Sequence, residues 1–109
     1  MIVTLVAGLA GTARAEPALE VSEVARGLDV PWSLAFLPGG DMLVTERPGR
    51  MRIVTTIGEV SASLAGLPEV HAQGQGGLLG VALSPTFGTD SLIYFAFAQP
   101  TESGARTAV

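Results

Sequence analysis

The sequence predicts an all-β chain of short strands joined by tight turns. Three observations carry that prediction. From Val21 onward, short apolar runs alternate with turn-forming clusters such as Arg26-Gly27, Pro38-Gly39-Gly40-Asp41 and Pro48-Gly49. No segment beyond Glu16 carries a convincing helical period. A faint repeat is also present: Ala35-Phe36-Leu37-Pro38, a turn, then Met42-Leu43-Val44 matches Ala82-Leu83-Ser84-Pro85, a turn, then Leu92-Ile93-Tyr94. Pro38 and Pro85 stand 47 residues apart. A period of about 40–50 residues, with about four strands per unit, is the spacing of β-propeller blades. A β-sandwich or a small barrel fits the same strand pattern.

The elements follow in order. Ile2 to Ala10 is apolar, and Ala13-Arg14-Ala15 fits the small-x-small rule for cleavage. Residues 1–15 therefore read as an export signal, too short to cross a bilayer, with Glu16-Pro17 opening the mature chain. No Lys or Arg precedes the run, so the leader is expected to be clipped. Strands are predicted over Val21–Ala25, Trp32–Leu37, Met42–Thr45 and Arg50–Thr55. In the last of these, Met51 and Ile53 alternate with Arg50, Arg52 and Val54, the period of a half-exposed strand. Val60 to Leu67 reads as a short connector. Leu78–Leu83 reads as a buried strand, Leu92–Ala98 as its successor, and Ala105–Val109 as a further strand. The chain supplies about two blade-like units, and a closed ring needs at least four. Residues 16–109 are thus expected to be the N-terminal part of a longer protein.

Composition excludes several functions. The chain of 109 residues has ten acids against six arginines, no lysine, and a net charge of −4. That balance argues against nucleic acid, which requires a basic face. The absence of cysteine excludes a disulfide framework, a thiolate metal site and a thiol nucleophile.

The stretch that carries chemistry is Gly74-Gln75-Gly76-Gly77-Leu78-Leu79-Gly80. Glycines let a backbone bend sharply and approach a ligand closely. A following strand would hold such a turn rigid and aim the Gln75 amide. This turn is one of several motifs in order: Pro31-Trp32-Ser33-Leu34-Ala35-Phe36-Leu37-Pro38-Gly39-Gly40, Leu43-Val44-Thr45-Glu46-Arg47-Pro48-Gly49-Arg50, Gly66-Leu67-Pro68, the glycine turn itself, Pro85-Thr86-Phe87 and Ile93-Tyr94. Together they resemble the glucose/sorbosone dehydrogenase family, and within it the soluble quinone-dependent sugar dehydrogenases.

That resemblance implies an incomplete six-bladed β-propeller, exported to the periplasm or beyond. It implies pyrroloquinoline quinone and calcium as cofactors. It further implies oxidation of an aldose at C1 to a lactone, with electrons passed to an acceptor. Gln75 matches the family's pocket glutamine, and Gly74, Gly76 and Gly77 match the turn that presents it. The catalytic histidine, the basic cofactor ligands and the calcium ligands of the family lie in later blades. No catalytic residue and no metal ligand is therefore expected in this chain, which alone should be inactive. A non-enzymatic exported propeller, serving as a binding or scaffold module, is the alternative, because fold does not settle function.

Other residues read more simply. His71, the sole histidine, is expected to be a loop residue without a catalytic role. Glu46 and Arg47 are expected to fix the blade by pairing or capping. Trp32 is expected in the core, and Phe87, Tyr94, Phe95 and Phe97 in blade packing. Tyr94 and Phe95 fall on opposite faces of one strand. Asp41 and Asp90 are expected to bond their own turns.

Overall fold

In the computed structural model, which describes residues 17–109, two antiparallel meanders lie against one another. The leader expected over residues 1–15 lies outside the described residues. The first meander comprises β1 (Pro31–Phe36), β2 (Met42–Glu46) and β3 (Arg50–Val54). The second comprises β4 (Leu78–Leu83), β5 (Ile93–Thr101) and β6 (Gly104–Ala108). A single helical turn, α1 (Phe87–Asp90), joins β4 to β5, where sequence alone indicated only a loop. β1 and β4 start with the same offset that separates Pro38 from Pro85, so the repeat in sequence is a repeat in space.

The pairing register explains the core. Leu43 sits opposite Ile53 and Thr45 opposite Met51, placing these residues on one face of the first sheet with Ser33 and Ala35. β4 packs onto β1 and β2 across that face. Leu43 and Met51 from one sheet and Leu78 and Phe97 from the other form the buried centre. Full burial of each such side chain contributes about 1.5–3 kcal/mol.

Both sheets carry a register shift, one between Pro31 and Ser33 and one between Leu78 and Val81. The second shift takes Leu79 and Gly80 out of the β4–β5 ladder. Two hydroxyls from the first sheet bond the backbone at this shift. Thr45 Oγ1, wholly buried, donates to the Leu79 carbonyl at 2.7 Å, and the Val81 amide donates to Ser33 Oγ at 3.2 Å. A buried backbone group without a partner is costly, so these bonds are structural requirements. Pro100 within β5 has a similar explanation. The Ala98 amide points to the Gly77 carbonyl. Two residues on, the Pro100 nitrogen points to the same side, beyond the last β4–β5 pair at Leu78 and Phe97, where no N–H is needed.

The structure corrects several expectations about the fold. The first sheet has three strands, not four: along the free side of β3 runs an irregular segment, with Ser61 donating to the Ile53 carbonyl, Leu64 to the Met51 carbonyl, and only a single bridge between Val54 and Val60. The uneven spacing of those bonds prevents a regular ladder. Val21–Ala25 is not a strand, because among the described residues no strand lies beside it to share hydrogen bonds. Trp32 is 52% exposed, as is Tyr94, so neither belongs to the core. Each points to the sheet face opposite the buried centre, and Phe95 and Phe97 take the inner side with ring centroids 5.8 Å apart. Val54 is buried although it shares the register of Arg50 and Arg52, since its face borders the apolar cleft under Val24, Ala25 and Leu28. β4 is buried only at Leu78 and elsewhere is partly buried or exposed, rather than being buried throughout, because only one face of its sheet is covered.

Candidate functional site

The site is built from the loop that enters β4. The Gly76 amide donates to the Gln73 carbonyl at 2.8 Å, closing a reverse turn with Gly74 and Gln75 at its centre. Gly74 has φ +58, and Gln75 has no positive φ, so the glycine takes the position where a side chain is disfavoured. Gln75 occupies the apex, is exposed, and makes no side-chain hydrogen bond among the described residues. Its amide is therefore available both to donate and to accept.

The base of the turn is held from two sides. On the β5 side, the His71 amide donates to the Ala98 carbonyl at 2.8 Å, and the Ala98 amide donates to Gly77 at 2.9 Å. On the other side stands Arg47, at the β2–β3 corner of the first sheet. Its carbonyl accepts the Leu78 amide at 2.9 Å. Its Nη1 donates to the carbonyls of Gly74 at 3.0 Å and Gly76 at 2.7 Å. Gly77 is pressed against it: a Cβ there would lie 2.4 Å from both Arg47 Cγ and the Arg47 carbonyl oxygen. The Gly77 φ of +153 adds a second reason for glycine.

Next to Arg47, Glu46 is wholly buried. Its Oε1 accepts from Arg50 Nε at 2.9 Å and Arg52 Nε at 2.8 Å, and its Oε2 accepts the Asp29 amide. Arg50 also reaches the Asp29 carboxylate at 2.7 Å. Burial pushes the Glu46 carboxyl up, but the bonds from Arg52, the Asp29 amide and Arg50 outweigh it and hold the group below its ordinary value. Both residues therefore fix the fold, as their setting after a strand indicated. The burial of Glu46 was not legible, because the surrounding sequence is charged.

The remaining candidates separate clearly. The His71 ring makes no hydrogen bond among the described residues. Asp90 caps its own turn through the Leu92 amide at 2.9 Å and accepts the Ser84 and Thr86 hydroxyls, each at 2.7 Å. The Leu92 amide, followed by those hydroxyls, holds its carboxyl below the ordinary value. Asp41 departs from expectation: it accepts from Thr56 in the next loop rather than from its own turn. Among the described residues there is no group of three or more acidic, histidine or cysteine side chains placed to hold a metal. None of the described helices is long and apolar enough to cross a membrane. A cleft of about 530 Å³ lies away from Gln75 on the outer face of the first sheet, between Val24, Leu28, Trp32, Leu34 and Val44.

Two meanders at blade spacing, packed face to face, fit partial blades of the β-propellers of glucose dehydrogenases. Residues 28–109 match the model of the family described as Glucose / Sorbosone dehydrogenase, and the chain belongs to that family. It is 45% identical over 84 residues to aldose sugar dehydrogenase YliI of Escherichia coli (strain K12), covering 75% of this chain and 23% of that protein. A solved glucose dehydrogenase superposes with a TM-score of 0.75 at 48% identity, over 79% of this chain and 27% of that one. The pyrroloquinoline-quinone-bound form of aldose sugar dehydrogenase from Streptomyces coelicolor gives a TM-score of 0.68 at 40% identity, over 80% and 26% respectively. The chain spans about a quarter of the length of the curated relatives it matches.

Proposed function

We propose that this chain forms the first blades of an exported quinone-dependent aldose dehydrogenase, which oxidises its sugar at C1 to the lactone and hands the electrons to an acceptor. The observation that carries this reading is the Gln75 turn. An amide unpartnered among the described residues stands at the apex of a glycine loop that is bonded to both sheets, in a chain whose relatives include sugar dehydrogenases. A neutral amide with free donors and a free acceptor suits a site where a sugar hydroxyl and a quinone carbonyl must be read together. The residues present thus fit one edge of pyrroloquinoline quinone and leave the rest to later blades. When bound, the quinone supplies the hydride acceptor that amino-acid side chains lack.

In this reading the labour divides between the side chain and its turn. Gln75 orients the ligand, and the bonded Gly74–Gly77 backbone fixes where that residue stands, the positioning by which a barrier is lowered. The proton acceptor and calcium ligands in this reading belong to residues outside this chain. Export rests on the Ile2–Ala10 run and the Ala13-Arg14-Ala15 cleavage pattern, and N-terminal sequencing should find Glu16 first. The full-length protein, loaded with calcium and pyrroloquinoline quinone and offered glucose or other aldoses with a dye acceptor, should reduce the dye. Failure with every aldose would favour the non-enzymatic binding module.

A further inference from the structure

We infer that Arg47 is a positioning residue that acts through Gln75, an inference that rests on the pocket reading of that glutamine. Arg50 and Arg52 both pair with Glu46, whereas Arg47 forms no salt bridge among the described residues. Its Nη1 instead bonds the carbonyls of Gly74 and Gly76, the two residues flanking Gln75. A charged donor shared by two carbonyls fixes the 74–75 and 76–77 peptide planes, and the Gln75 and Gly76 Cα atoms lie between those planes. Arg47 thereby transmits the position of the first sheet to a side chain of the second. Its own place is set by neighbours: its amide donates to the Val30 carbonyl at 2.9 Å, and the preceding residue is the buried Glu46. The glycine at 77 is the counterpart of this arrangement, because any side chain there would displace the arginine.

The test uses R47A, R47K, Q75A and the R47A/Q75A double variant of the full-length protein. Amide hydrogen exchange over residues 74–78 is measured alongside quinone affinity, kcat and KM. R47A should speed exchange at Gly76 about tenfold or more and lower kcat by a similar factor. R47K, which keeps a donor near the two carbonyls, should recover part of both losses. The double variant should be no slower than Q75A alone, because the arginine acts only through the glutamine. Unchanged exchange in both single Arg47 variants would overturn the inference, as would an R47A loss in kcat that is fully retained on the Q75A background. If Q75A alone leaves affinity and turnover unchanged, the pocket reading fails, and the exchange data alone then decide whether Arg47 holds the turn.

Discussion

Glu46 shows how one residue can set the chemistry of a corner. Its carboxylate is the shared acceptor for two arginines and a backbone amide, and it has no exposure to water. The two arginines keep partial access to solvent, so removing the carboxylate does not strand a buried positive charge. Glu46→Ala is therefore expected to cost about 2–3 kcal/mol, chiefly the charge-assisted bonds, as measured by urea unfolding. The sign of the pH effect follows from the lowered folded-state value. The stabilisation is complete above the unfolded carboxylate value, about pH 4, and disappears as pH falls through the lower folded value. Urea midpoints of the wild type and Glu46→Gln should converge on acidification through that window. Gln75 and its glycines stood out in the sequence because glycine density marks a backbone under unusual demands. The partnership of Arg47 with that turn did not, since residues 27 and 29 positions apart meet only after two sheets have packed.

Elements were legible where one face is buried. β2 and β3 were placed almost to the residue, because the inner positions Leu43 and Met51 alternate with others and turns at Pro38 and Pro48 bound them. Val21–Ala25 misled for the opposite reason: apolar content was present, but a strand also needs a neighbour. The register shift in β4 was not visible at all, since nothing in Leu79-Gly80 reveals that hydroxyls on another sheet bond the backbone there. Thr45 thereby satisfies a backbone carbonyl belonging to the other meander. Thr45→Val keeps the shape and removes the donor, leaving Leu79 unsatisfied. A loss of about 1–3 kcal/mol is expected in chemical denaturation, with faster exchange at Val81 as the two sheets loosen.

At the scale of the molecule, the inner face of the first sheet is covered by the second, and its outer face is covered only in part, over Val44 and Val54. The outer face of the first sheet presents Trp32, Leu34 and Phe36, each about half exposed or more. Apolar surface of this kind on repeat architectures is normally covered by a neighbouring unit. The isolated 109-residue chain should accordingly self-associate with rising concentration in sedimentation velocity, and Trp32→Ser should reduce that association. The all-β character and the blade spacing were readable because strand periodicity and turns are local. Which aromatic residues face inward was not, because Trp32 and Tyr94 depend on what lies on the far side of their sheets.

The hydroxyl bonds from Ser33 and Thr45 into β4 impose an order of events during synthesis. The first meander leaves the ribosome before β4 does, and all of its ladder partners come from its own strands. When the irregular stretch at Leu79 and Val81 emerges, a template already waits for it. Translation from the other end, as in a circular permutant beginning at β4, would deliver that stretch with no partner to receive it.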